Sequence, residues 1–331
     1  MNFTIINNAT GTSEGYALVK SCDRKTSKNG SAYLDIVLAD KSGEISAKLW
    51  DYKEGMHGDI TANIIVKVRG VEQMYNKQPQ YRIERIRTVT PEDNVDLNDF
   101  VPSAGYDEKF LNDLLYAVID SVKDQQLHAL LTEIFAEYGA RMCTIPGAFR
   151  LHHAIRGGLI THTLSIVQMA EAAAKLYPAV DRDLLITGAL LHDVAKTEEF
   201  VIAPSGLVSG YSLSGELLGH LVMGAMIVER AAAKLGTDEK TKMYLQHMLL
   251  SHHGDPQFGA AIRPSFLEAE ILSQLDMLDA RIYEIENAIG AVEVGGFSAR
   301  QWALDDRKFL NHGRKPVSTA VQFESPAENN A

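Results

Sequence analysis

The hydrophobic pattern changes its period once along the chain. From about Glu14 to Val89, apolar and polar residues alternate in short runs rich in β-branched and aromatic side chains: YALVKSCDRKT, SAYLDIVLAD, EISAKLWD, ITANIIVKVRGVEQM and QYRIERIRTV. A period of two marks half-buried strands, and KNGS and DKSGE between the runs supply turn chemistry. Five such strands in so short a stretch predict a small closed barrel. Past Thr90 the segment PEDNVDLNDFVPSAGYDEK is acidic and carries two prolines, so it reads as a connector. From Phe110, the residues Leu111, Leu114, Leu115, Val118 and Ile119, then Leu127, Leu130, Leu131, Ile134 and Phe135, recur at steps of three and four. That is the spacing of amphipathic helices. The helical reading runs on to Asn287 through VQMAEAAAKLY, DLLITGALLHDVAK and LLGHLVMGAMIVERAAAKL, giving a bundle whose interior can hold a site. The end, RKPVSTAVQFESPAENNA, is polar and reads as a disordered tail. The expected organisation is multidomain: a small β-barrel over 1–90, a linker over 91–109, an all-α helical bundle over 110–312 and a tail over 313–331.

Composition changes this picture little. At 331 residues, 46% hydrophobic and 23% charged, the chain has room for two domains of roughly 150 residues each. Its two cysteines, Cys22 and Cys143, are far apart and show no CxxC spacing, so neither a disulfide framework nor a zinc ribbon is expected. No basic segment leads into an apolar run at the N-terminus, and nowhere do about 18 apolar residues stand together. A cytoplasmic protein with no membrane span is the expectation. Net charge is −11, which argues against a nucleic-acid partner. Between Val66 and Arg87, however, Lys67, Arg69, Lys77, Arg82, Arg85 and Arg87 face only Glu72 and Glu84, so a local basic face is available. Bound metal ions would add positive charge that the count omits.

The chemistry is concentrated in the histidines. Eight of the eleven lie between His152 and His253: His152, His153, His162, His192 followed by Asp193, His220, His247, His252 and His253. Asp276 follows in LSQLDMLDAR. A lone histidine on an apolar helix face is usually a satisfied core residue. Many of them, with carboxylates and on separate helices, instead form a donor set that suits Mn, Fe, Mg or Zn.

The order His162, His192-Asp193 and Asp276 resembles the H…HD…D signature of the HD superfamily of metal-dependent phosphohydrolases. His220 and His252 resemble the additional ligands of its two-metal subset, in which the HD aspartate bridges the ions. More narrowly, HHAIRGGLITHTLSI, ALLHDVAK, LSHHGDPQFG and AEILSQLDMLDAR are similar to the YhaM-type 3′-to-5′ exoribonucleases. The N-terminal OB-fold of that family resembles residues 14–90, including GSAYLDIVLADKSGEISAKLWD. The resemblance implies an oligonucleotide-binding (OB-fold) barrel feeding an HD domain that cuts single-stranded RNA, or also single-stranded DNA, into nucleoside 5′-monophosphates. It implies one ion on His162, His192, Asp193 and Asp276, and a second on Asp193, His220 and His252. Manganese is the first choice of ion, with magnesium, iron(II) or cobalt(II) as alternatives. Asp193 and Lys196 are the expected catalytic groups.

Several residues carry two readings. Adjacent side chains point about 100° apart, so His252 is preferred as ligand, leaving His253 to back a ligand, touch phosphate or sit satisfied at the surface. His152 and His153 orient substrate, close the site or serve structure alone, and His247 is packing or backs a ligand. Asp279 shares a helix face with Asp276 and competes with it. Lys196 shares the face of His192-Asp193 and could hold a phosphate oxygen or leaving group, or be an ordinary exposed lysine. Gly157 and Gly158 permit close approach of the chain or simply open a helix. In the barrel, Tyr33, Trp50, Tyr75 and Tyr81 are core residues or stacking platforms for bases, while Lys67, Arg69, Arg82 and Arg85 share a strand face that holds phosphates or is plainly solvated. Apolar helix faces could also support a homo-oligomer. Two rival functions remain at this point: an HD phosphohydrolase for a small nucleotide such as a cyclic dinucleotide or dNTP, and a nucleic-acid adaptor with an inactive HD domain.

Overall fold

The computed structural model describes residues 12–323, apart from Lys28, Lys77, Pro102 and residues 150–152. Two compact units divide it: one runs up to Ser103 and adds residues 202–209, the other takes the rest.

In the first unit, β1 (Ser13–Thr26), β2 (Ala32–Asp40), β3 (Gly43–Leu49), β4 (Ile65–Tyr75) and β5 (Gln78–Thr88) close into a barrel in the order β1-β2-β3-β5-β4. A short helix, α1 (Glu54–His57), separates β3 from β4. Closure depends on β1, which is long enough to pair with β4 over Ser13–Leu18 and with β2 over Leu18–Thr26, its register shifting between Val19 and Ser21. A bulge of this kind bends a strand and raises its twist, which a small barrel needs. The strand alternation then sends Ala17, Val19, Leu34, Ile36, Leu38, Ala47, Leu49, Val66 and Val68 inward. This five-stranded closed barrel is the OB-fold. Tyr81 belongs to its core, at 1% exposure, with its hydroxyl donating to the Ser13 carbonyl at 2.8 Å, so it offers no stacking surface.

The second unit is helical: α2 (Glu108–Asp120), α3 (Gln125–Met142), α4 (Gly158–Leu176), α5 (Arg182–Leu191), α6 (Lys196–Glu199), α7 (Leu213–Leu235), α8 (Glu239–Ser251) and α9 (Leu267–Gly290). Asp107, Asp124, Asp181, Ser212 and Asp238 cap α2, α3, α5, α7 and α8, each accepting backbone N–H bonds that a helix start leaves open. The first ten residues of α4 and most of α5 are buried, which explains why their sequences are nearly unbroken apolar runs. They pack on each other and on α9.

One stretch departs from the helical expectation. A two-stranded hairpin, β6 (Phe200–Ile202) and β7 (Val208–Tyr211), interrupts the bundle between α6 and α7. Its cause lies in FVIAPSGLVSGY: β-branched Val201, Ile202 and Val208 flank Pro204 and Gly206, and the proline cannot continue a helix. Residues 313–323 form no helix or strand, yet the Val321 carbonyl accepts from the Tyr106 hydroxyl at 2.8 Å. The rest of the polar tail, 324–331, lies outside the described residues.

Candidate active site

Five chain segments deliver the histidines and carboxylates to one buried place. His162 comes from the buried start of α4, and His192-Asp193 from the tight turn that joins α5 to α6. His220 follows a break in α7, where Gly219 takes φ 70° and ψ 160°, a conformation open to glycine and strained for other residues. His252 and His253 directly follow α8, and Asp276 and Asp279 lie three residues apart on α9. Gly158 makes a second requirement at the start of α4, because a Cβ there would lie 2.0 Å from the His153 carbonyl oxygen.

The donors form two groups that share Asp193. On one side, His162 Nε2 lies 3.1 Å from Asp276 Oδ1, 3.3 Å from His192 Nε2 and 3.7 Å from Asp193 Oδ2. His192 Nε2 is 3.2 Å from the same Asp193 oxygen. On the other side, Asp193 Oδ1 lies 3.5 Å from His220 Nε2 and 3.7 Å from His252 Nε2. His253 joins this second group, since His220, His252 and His253 each bring a ring nitrogen within 4.8 Å of the others. Both residues of the doublet therefore lie beside this group.

Ring orientation is set from behind. His192 Nδ1–H donates to the Ala189 carbonyl and His252 Nδ1–H to the Leu249 carbonyl, both at 2.8 Å. His162 Nδ1–H donates to Asp279 Oδ2 at 2.6 Å, and His220 Nδ1–H to Glu199 Oε1 at 3.1 Å. A carbonyl or carboxylate oxygen can only accept, so each ring carries a proton on Nδ1 and turns Nε2 inward, where the neutral ring has its lone pair.

That convergence tests the fit to a cation. Asp193 Oδ1, His220 Nε2, His252 Nε2 and His253 Nδ1 are buried with no hydrogen-bond partner among the described residues. Leaving one such atom unpaired costs about 1–3 kcal/mol, and several lone pairs facing one another add repulsion. A divalent metal ion satisfies them together, and nitrogen with carboxylate oxygen is the donor set such an ion takes. The chain binds divalent metal at this place.

Charge states agree with that fit. Burial, then the neighbouring histidines, hold His252 far below the ordinary imidazole range; burial and then His220 push His253 down to about 4. Both rings are neutral at pH 7, as a ligand must be. Burial penalises the ionised form of Asp193, yet Lys196 and His192 outweigh it and keep the carboxyl well below its usual value. For His162 burial again opposes charge, but Asp276 and Asp279 raise it to about 10. To serve as a ligand that ring would give up its second proton, the one on Nε2.

Lys196 is buried rather than exposed, and its ammonium donates to Asp193 Oδ2 at 2.7 Å and to the Gly147 carbonyl at 2.9 Å. His153 is buried at φ 53°, with Nε2 bonded to Asp279 Oδ2 at 2.8 Å and its ring 4.3 Å from that of Tyr283. It lies behind His162, away from the converging nitrogens. His152 lies outside the described residues. His247 Nε2 accepts the Ser265 N–H at 3.0 Å and packs on Phe266, apart from both groups. Asp279 is engaged by His153, His162 and the Ser165 hydroxyl, whereas Asp276 faces His162 Nε2. Glu199 had no signal in the sequence beyond being one of two adjacent acids in KTEE.

On the barrel, Tyr33 and Trp50 stand with ring centroids 4.7 Å apart, and Trp50 is 44% exposed. Lys48 Nζ lies 5.0 Å over the Tyr33 ring, and Arg82 stands opposite Lys48 in the β3–β5 register. Tyr75 is exposed at the end of β4. Across β4 and β5, Lys67 pairs with Arg87 and Arg69 with Arg85, a ladder of like charges. Glu14 binds Lys67 at 3.0 Å and Asp93 binds Arg87 at 2.7 Å. Arg69 stands opposite Glu14 as well as Arg85 in the barrel register, while Glu14 makes its ion pair with Lys67; like charges placed opposite each other are unfavourable.

A family model described as HD domain matches residues 159–281. The chain is 37% identical over 301 residues to the 3′-5′ exoribonuclease YhaM of Listeria welshimeri, covering 91% of this chain and 95% of that protein. It is 35% identical over 295 residues to the protein of the same name from Bacillus subtilis, covering 89% of this chain and 93% of that one. Among solved structures, a replication protein A heterotrimer bound to single-stranded DNA is similar over 27% of this chain and 61% of that chain, at 19% identity and a TM-score of 0.21.

Proposed function

The chain belongs to the YhaM family of 3′-5′ exoribonucleases, and from that premise we propose that it shortens single-stranded RNA from the 3′ end at a two-metal centre, releasing nucleoside 5′-monophosphates. The observation that carries this reading is the split of Asp193, whose two oxygens face separate groups of inward-pointing imidazole nitrogens. His162, His192, Asp193 and Asp276 hold one ion. Asp193, His220, His252 and His253 hold the other, so both members of the doublet are ligands. Two divalent ions held there would supply an activated water nucleophile and would offset charge on the phosphoryl oxygens during in-line displacement. Manganese suits the nitrogen and carboxylate donors. Lys196 keeps the Asp193 carboxylate ionised and oriented, and its fixed positive charge favours the developing negative charge of the reacting phosphoryl group.

The barrel holds the strand by two means. Tyr33 and Trp50 stack on bases, with Tyr75 as a further platform, and Lys67, Arg69, Arg82 and Arg85 hold phosphates. Stacking and backbone binding tolerate any sequence, which suits RNA and leaves room for single-stranded DNA. Exposed Leu213, Leu217, Leu218 and Met226 on α7 support self-association into a homo-oligomer. Free Cys22 and buried free Cys143 support a reducing, cytoplasmic setting.

Purified protein with Mn²⁺ should be given end-labelled single-stranded RNA, a cyclic dinucleotide and a dNTP in parallel. RNA should be consumed far faster than either small nucleotide. Turnover of a small nucleotide at the higher rate would replace this reading with that of a small-nucleotide phosphohydrolase.

A further inference from the structure

Four ligand rings carry a proton on Nδ1, but the groups that accept it are of two kinds. His192 and His252 donate to backbone carbonyls three residues earlier, so their orientation follows from the local turn alone. His162 and His220 donate to buried carboxylates, Asp279 and Glu199, which lie 117 and 21 residues away in the chain. A carboxylate behind an imidazole makes the ring a stronger electron donor than a neutral carbonyl does, as well as holding it in place. The arrangement is also divided evenly: His162 stands in the group with His192 and Asp276, and His220 in the group with His252 and His253.

We infer that Asp279 and Glu199 are positioning residues, each serving one metal position by orienting one histidine and strengthening its donation. The inference rests on the two-ion reading above. Asp279 is unsuited to be a ligand itself, because Oδ2 already accepts from His153 and His162 at 2.8 and 2.6 Å and Oδ1 accepts from Ser165. Glu199 is committed likewise. Its Oε1 takes both the ring N–H of His220 and the backbone N–H at 2.9 Å, the donor released where Gly219 breaks α7. One carboxylate thus caps the second half of α7 and aims its first side chain.

The test is calorimetric titration of metal-stripped full-length protein with Mn²⁺, using His162→Ala and His220→Ala to identify the two binding steps. Wild type should take up two ions. Asp279→Asn should weaken the step that His162→Ala abolishes by about 10–100-fold and leave the other nearly unchanged, and Glu199→Gln should do the reverse. Ser165→Ala loosens Asp279 without removing it and should weaken the same step less, which covers the case in which Asp279→Asn folds poorly. Excess Mn²⁺ should restore kcat in both carboxylate variants, because every ligand is retained; loss from a damaged fold would not respond. Two ions in wild type with unchanged affinities in the variants overturns the positioning role alone. A single ion in wild type overturns the two-ion reading and this proposal with it, and the fault is then visible before any variant is examined.

Discussion

Asp193 is buried with Lys196, His162, His192, His220 and His252 around it, so its negative charge is the one fixed counterweight common to both groups. Asp193→Asn keeps the shape and removes that charge. Metal content, measured by elemental analysis after gel filtration, should fall by more than half, and hydrolysis should fall to near background with the far-ultraviolet circular dichroism spectrum retained. Full metal content with activity within a few-fold of wild type would show that the carboxylate bridges nothing. At this scale much was legible in the sequence: histidine beside aspartate, in a fixed order and embedded in apolar runs, is a distinctive pattern. The choice between Asp276 and Asp279 was not readable from spacing, since residues three apart share a helix face and only the rotation of α9 decides which meets His162 Nε2 and which Nδ1. Spacing alone puts Lys196 on the face of the dyad, but its second bond, to the Gly147 carbonyl, depends on a loop 49 residues away.

At the level of elements, the site is assembled by helix ends and breaks more than by helix middles. Only His162, Asp276 and Asp279 sit within unbroken helix; the dyad, His220 and the doublet stand at an end or beside a break. The helices themselves are tied together elsewhere, as at Asp183 in the first turn of α5, which accepts the Lys123 and Asp124 backbone N–H groups at 2.8 and 2.9 Å where α2 gives way to α3. Burial opposes ionisation of Asp183, but those donors and Arg182 outweigh it and depress its carboxyl. A depressed folded-state value means the contribution is complete above the unfolded value, near about 4, and is lost as pH falls through the folded value. Asp183→Asn should therefore cost about 1–3 kcal/mol in urea unfolding at pH 7, and the cost should shrink as the pH is lowered through 4. An equal cost at both pH values would assign the effect to shape rather than charge. The strands and long helices followed from periodicity, whereas the β6–β7 hairpin did not, because its two short strands fall below the length at which alternation can be told from a helix edge.

For the whole molecule, a net charge of −11 hides a division of labour. Lys67, Arg69, Arg85 and Arg87 are gathered across β4 and β5 of the barrel, and divalent metal adds positive charge that the sequence count omits. Trp50→Ala should raise the KM for long RNA by the equivalent of about 1–3 kcal/mol without altering its salt dependence, since stacking is not charge pairing. Replacing Arg69 and Arg85 together by Gln should make the salt dependence of binding shallower, by about 0.7 in the log–log slope for each phosphate that is no longer neutralised. A steep slope retained in that double variant would move the phosphate track off the β4–β5 ladder. The most direct measurement of 3′-to-5′ exonucleolytic hydrolysis is a time course with Mn²⁺ on one 5′-labelled single-stranded RNA, bearing either a free 3′ hydroxyl or a 3′ phosphate, with a circular RNA beside them. The free 3′ end should give a ladder that shortens one nucleotide at a time and releases 5′-monophosphates, the blocked end should slow it, and the circle should survive. Cleavage of the circle, or immediate release of the 5′-terminal nucleotide, would contradict it.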